Sequence, residues 1–292
     1  MPPNDHRRAV LAFALLFVLY QGAEGIGGHL LGLFWVQAAF MTAMVAAAWP
    51  VGRWLGFRGY DAYALEWRRA APVMLVGGLM LALLVKYVAV CVGMALDIYA
   101  ARARDATPIG AVSFLSSIPW ALLVTFLPSI AEDILTRGFL WRAIRPRWPA
   151  AWVFVLASSA LYVANHVFRL GGGLPGLVML FCFGLAYATA VVRTGSLWLA
   201  VGLHWGWNLA NILIGDILPF ETVSPRCSDV LSAAAHLVLF GVMFAIPSVD
   251  EGGEADPEPA RRCSVVVDEG QGLGELVPVA EAAHQRAGGR IA

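Results

Sequence analysis

The stretch LLGLFWVQAAFMTAMVAAA, from Leu30 to Ala48, runs for 19 residues without a charged side chain. A helix needs about 20 mostly apolar residues to cross the hydrocarbon core of a bilayer. A helix that is apolar all round is either deeply buried or in lipid. Outward from this stretch, similar runs recur along most of the chain. Candidate spans fall at 8–26, 29–49, 71–95, 110–131, 150–168, 174–192, 196–215 and 230–246. The first is interrupted by Gln21, Glu24 and the cluster Gly25-Ile26-Gly27-Gly28, and the fourth runs on into Glu132, Asp133 and Arg137. The composition agrees: 59% of residues are hydrophobic, 14% are charged and the mean hydropathy is +0.70, whereas a soluble domain carries about 25% charged residues. The predicted fold class is all-α, a polytopic membrane helix bundle of about eight transmembrane helices over residues 1–247.

Twenty Lys and Arg balance twenty Asp and Glu, which excludes the basic surplus of a nucleic-acid binder. The balance conceals a divided chain. Residues 248–292 hold nine acids against four arginines, with seven Gly and Pro257, Pro259 and Pro278. This composition cannot bury a core, so the segment reads as a mostly disordered, acidic cytoplasmic tail. Arginine also sets the expected orientation. Arg7, Arg8, Arg53, Arg58, Arg68, Arg69, Arg142, Arg145, Arg147 and Arg193 fall on one side of the predicted spans, and only Arg102, Arg104, Arg169 and Arg226 on the other. Both termini are therefore expected to be cytoplasmic, which an even number of spans requires, in a multi-pass protein of a bacterial cytoplasmic membrane. The first run follows Arg7-Arg8 but leads into more membrane, so it reads as a span and not as a cleaved signal. Residues 50–70 mix Trp54, Phe57, Tyr60, Tyr63 and Trp67 with arginines, a pattern expected at headgroup level. Cys91, Cys182, Cys227 and Cys263 show no metal-ligand or disulfide spacing and read as packing or solvent-side thiols.

Ionisable side chains within spans are expensive and therefore informative. Lys86, the only lysine, and His236 read as structural. The remaining groups form a set. Asp133 and Arg137 are four apart, on one helix face, and suit an internal ion pair. Glu132 is rotated from them by about 100° and can point elsewhere. His204 and Asn208 again share a face. His166 closes a span containing Ala157-Ser158-Ser159-Ala160, small residues that allow close helix approach. One such group alone would be inter-helix glue; an acid, two imidazoles and a carboxamide on three spans read as a shared site. A glutamate removed from bulk water and paired with a histidine can activate water for attack on a carbonyl. A second histidine and an asparagine amide suit the oxyanion that forms. That chemistry is amide hydrolysis inside a membrane.

These residues resemble a known family. Glu132-Asp133-Ile134-Leu135-Thr136-Arg137 resembles the Glu-Glu-x-x-x-Arg motif of the CPBP family, the CAAX-protease and bacteriocin-processing intramembrane proteases. Tyr162-x-x-x-His166 is similar to its Phe-x-x-x-His motif, and His204-Trp205-Gly206-Trp207-Asn208 matches its His-x-x-x-Asn motif, all in the family's order. The resemblance covers about 130–210, within a family-like core of about 109–215. It implies catalytic roles for Glu132 and His166 on water and for His204 and Asn208 at the oxyanion, with Asp133 and Arg137 in support. It implies a membrane-anchored peptide or protein as substrate, held in the lipid bilayer. The departures are Asp133 for the second Glu, and Tyr162 for Phe. The family was formerly described as metalloproteases, and Glu132, His166 and His204 are the set that would bind zinc. The metal-free mechanism is preferred, with no cofactor required, because asparagine is a poor zinc ligand and its amide suits an oxyanion.

Other intramembrane chemistries lack their signatures: there is no His-Glu-x-x-His, Gly-x-Gly-Asp or Gly-x-Ser-Gly. The competing readings are a transporter or channel lined by the same polar groups, for which no internal repeat is visible, and a non-catalytic membrane scaffold.

Overall fold

The structure, a computed structural model, describes residues 3–101, 111–144, 150–217 and 220–247. Among these are eight α-helices: α1 (Pro3–Gln21), α2 (Phe34–Trp54), α3 (Ala71–Ala95), α4 (Ala111–Asp133), α5 (Ala151–Asn165), α6 (Leu174–Thr194), α7 (Trp198–Ile217) and α8 (Pro225–Phe244). They follow the eight expected spans one for one, and the all-α membrane bundle stands. Six of them, counting the π-helical continuations of α1 and α4, are long and apolar enough to cross a membrane. The other two differ for separate reasons. With 15 residues α5 is only about 22 Å long, short of the ~30 Å hydrocarbon core. α7 has the length, but His204, Asn208, Asn211 and three tryptophans dilute its apolar character. Both helices contribute to the candidate site. The predicted tail, residues 248–292, and the arginines at 102, 104, 145 and 147 lie outside the described residues.

The helices are built inside out relative to a soluble protein. On α3, Val73, Val76, Met80, Leu84 and Tyr87 form an exposed stripe at three- to four-residue spacing, as a lipid-facing surface requires. The opposite stripe, Gly78, Ala82, Lys86, Val90 and Gly93, is buried. Without a hydrophobic driving force between helices in lipid, small residues that let backbones approach are what hold them together. The tightest pairing is α3 against α7. A Cβ on Gly78 would stand 2.6 Å from the Leu199 carbonyl oxygen, and Cβ atoms on Gly202 and Gly206 would run into the carbonyls of Leu75 and Leu79. Gly202-x-x-x-Gly206 is a small-residue packing motif with His204 at its centre. The expected close approach at Ser158-Ser159 is also present, because a Cβ on Gly184 of α6 would lie 2.6 Å from the Ser159 Cα.

Two features had no counterpart in the sequence reading. The chain enters π-helical turns at Gly22–Leu30, Ile134–Gly138 and Leu140–Ile144. A two-stranded antiparallel ribbon, β1 (Tyr99–Ala101) with β2 (Phe220–Thr222), ties the end of α3 to the start of α8. The segment 50–70 also differs from expectation. Trp54 and Trp67 are exposed as an interfacial segment requires, but Ala62, Tyr63 and Ala64 are buried. Tyr63 and Tyr60 donate to the carbonyls of Ala48 (2.8 Å) and Val45 (3.0 Å), beside the turn that Pro50 interrupts. Gly138 is the matching concession on the other side, since a Cβ there would lie 2.7 Å from the Tyr63 carbonyl oxygen.

Candidate active site

Glu132 is the penultimate residue of α4, and the π turn Ile134–Gly138 follows directly on Asp133. Such wide turns re-aim side chains and are common at functional sites. Here Glu132 and Asp133, though adjacent, are both buried and take different partners. Glu132 Oε1 accepts a hydrogen bond from Asn165 Nδ2 at 2.9 Å. It lies 3.5 Å from His166 Nδ1, while Oε2 lies 3.7 Å from His204 Nε2. The three motifs therefore meet, with both imidazoles beside one carboxylate that is 4% exposed. The helix end at Asn165 accounts for His166: the chain leaves α-helical geometry there and the imidazole turns back under α5. His166 Nδ1 donates to the Tyr162 carbonyl at 2.8 Å, since a carbonyl can only accept. The neutral ring then has its lone pair on Nε2.

Asp133 does more than the sequence assigned to it. It forms the expected ion pair with Arg137, and both side chains are fully buried. Its Oδ1 also lies 3.2 Å from His204 Nδ1. With Nδ1–H directed at a carboxylate, His204 presents Nε2 to Glu132, and Nε2 can donate only when the ring carries both protons. The guanidinium of Arg137 is sandwiched between the rings of Tyr162 (4.5 Å) and Tyr187 (5.0 Å). These ring faces supply much of the environment a buried cation needs, and they give Tyr162 a use for its ring that a phenylalanine shares. Tyr187 also stacks on His204 and hydrogen-bonds His236 Nε2 at 2.9 Å. His236 is thus fully buried and hydrogen-bonded, in line with a structural reading.

Asn208 sits one turn beyond His204 and donates to Ser129 Oγ at 3.0 Å. Trp205 Nε1 donates to Thr125 Oγ1 and the Leu122 carbonyl, both at 3.1 Å. Together with His204–Asp133, these bonds join α4 to α7 along three successive turns.

Glu132, His166, His204 and Asn208 all line one cavity of about 450 Å³, with Lys86, Trp207 and Asp229 elsewhere on its wall. Asp133 and Arg137 do not line it. The sequence reading missed Asn165 and Gln21. Gln21 Nε2 donates to both Oδ1 (2.9 Å) and the backbone carbonyl (3.0 Å) of Asn165. A chain of amides therefore runs from α1 to the Glu132 carboxylate. The available signal was a lone glutamine ending an apolar run and an asparagine beside the motif histidine.

As a zinc site the set Glu132, His166 and His204 fits poorly. Among the described residues no group of three His, Cys, Asp or Glu side chains is disposed to hold a metal.

Residues 114–210 match the family model described as Type II CAAX prenyl endopeptidase Rce1-like. Over this stretch the chain is similar to CAAX-type intramembrane proteases, consistent with the CPBP family. The match runs from within α4 to within α7 and contains all six residues discussed from the three motifs. No curated protein matches the chain. Helices α1, α2, α3 and α8 lie outside the matched segment, and with them Gln21, Lys86 and His236.

Proposed function

We propose that this protein is an intramembrane protease, a metal-free glutamic endopeptidase that cleaves a membrane-anchored peptide or protein. The observation that carries the reading is the common cavity wall of Glu132, His166, His204 and Asn208, with Glu132 between two imidazoles at 3.5 and 3.7 Å. Water held between Glu132 and His166 Nε2 attacks the carbonyl carbon of the scissile amide and gives its proton to Glu132. The carbonyl oxygen becomes an oxyanion facing Asn208 Nδ2 and, in its doubly protonated form, His204 Nε2–H. As the C–N bond breaks, the proton passes from Glu132 to the leaving nitrogen, giving a carboxylic acid and an amine. Asn165 holds Oε1 so that Oε2 stays available, and Asp133 fixes the His204 ring.

Purified protein in proteoliposomes tests this with prenylated and unprenylated membrane peptides. His166→Ala and Asn208→Ala are expected to lower the cleavage rate by about 10²–10³-fold each, the range for one lost proton-transfer or oxyanion group, and a chelator is expected to leave the wild-type rate unchanged. Metal-dependent activity, or full activity in either variant, would overturn the proposal.

The cavity has a sidedness that bears on its substrate. Phe34 and Gln37 at the start of α2, and Ser228 and Asp229 at the start of α8, line it, whereas Arg53 and Arg193 sit at the far ends of α2 and α6. If arginine marks the cytoplasm, both termini are cytoplasmic and the substrate end is presented at the opposite face.

A further inference from the structure

Among the described residues Lys86 is the one Lys or Arg side chain on the cavity wall, and the mechanism above does not use it. It is 9% exposed and sits on the packed stripe of α3, placed against α7 by the backbone-to-backbone contact at Gly202 and Gly206. Its Nζ lies 4.5 Å over the ring of Trp207, the residue before Asn208. Three carboxylates line the same cavity. Glu24 accepts from Gln37 and Glu132 from Asn165, Asp229 stands at the start of α8, and none pairs with Lys86 among the described residues. An ammonium out of water with only a ring face as partner is short of an anion, and this one points into a cavity that holds the candidate scissile site. A volume of about 450 Å³ is that of a small-ligand pocket, large enough for a short peptide end but not for a folded chain.

We infer that Lys86 receives the C-terminal carboxylate of the substrate and so makes a free carboxyl end a determinant of specificity. The inference rests on the proposed peptidase reading and adds a specificity-determining residue on α3, outside the family match. It requires nothing covalent: Nζ donates to the carboxylate, and Trp207 holds Nζ in place from behind.

The test compares two peptides of one sequence, ending in a free carboxylate or in a carboxamide, in vesicles of phosphatidylcholine alone so that no anionic headgroup competes. Wild-type protein should favour the acid by between about ten- and a hundredfold in kcat/KM, the worth of a charge-assisted hydrogen bond, mostly through KM. Lys86→Gln should cut both peptides at the rate wild type cuts the amide, and Lys86→Arg should restore part of the preference. Should Lys86→Gln fold poorly, the wild-type acid-to-amide ratio and the Lys86→Arg ratio still decide the matter. Equal cleavage of acid and amide by wild type overturns the role of Lys86 and leaves the peptidase reading standing. A preference that survives Lys86→Gln does the same. A wild-type protein that cleaves neither peptide overturns both.

Discussion

At the scale of single residues, the site depends on buried charges that are individually expensive. Asp133 and Arg137 sit together with no solvent contact, and removing one member of such a pair costs about 3–5 kcal/mol because the other is left uncompensated. Arg137→Met should therefore lower the thermal midpoint of the detergent-solubilised protein sharply. The double variant Asp133→Leu/Arg137→Met should regain most of that loss, since an apolar pair of similar volume is often as stable. It should not regain cleavage, because His204 Nδ1 would have lost the carboxylate that orients it. A double variant with wild-type activity would show Asp133 to be structural only. Asn165→Ala should cut the rate by about ten- to a hundredfold, the worth of a hydrogen bond to a charged group, with little change in the thermal midpoint. The sequence made the motif residues legible because each is a costly polar group at helical spacing. Asn165 and Gln21 were not legible as site residues, because an amide at a helix end is ordinary until its partner 144 positions away is known.

Among the elements, close helix approach is what brings the motifs together. Gly77 and Gly78 are neighbours on α3 with opposite surroundings: a Cβ on Gly77 meets nothing within 4 Å, while one on Gly78 would press on the Leu199 carbonyl. Gly77→Ala should be neutral or slightly stabilising. Gly78→Ala should destabilise by about 1–3 kcal/mol, as overpacking does, and depress cleavage by shifting α7 and with it His204. Equal melting of the two variants would count against the α3–α7 contact. Span positions were readable from hydropathy because lipid demands long apolar runs. The π turns were not, because a π turn and an α turn share the same side-chain composition and differ in where the backbone bonds close. The docking of 59–63 was hidden for a similar reason: aromatic residues beside arginines suit a headgroup layer and a protein crevice equally well, and Gly138 decides between them by admitting the Tyr63 backbone from 75 positions away.

For the whole molecule, the bundle encloses a polar cavity and turns bulky aliphatic side chains toward lipid, the arrangement an intramembrane hydrolase needs to hold water at depth. Its sidedness can be read through Cys227, an exposed thiol at the start of α8. In a variant keeping only that cysteine, a membrane-impermeant maleimide added to intact cells should label it; labelling only after lysis would reverse the orientation proposed from the arginines. The central claim is that Glu132 activates the attacking water. The most direct measurement is the initial cleavage rate of Glu132→Gln in proteoliposomes, alongside its thermal midpoint, because this isosteric change keeps an acceptor for Asn165 and removes only the base. The account predicts an unaltered fold with a rate reduced by about 10²–10⁴-fold, whereas a folded Glu132→Gln protein cutting within about twofold of wild type, far inside that range, would contradict it.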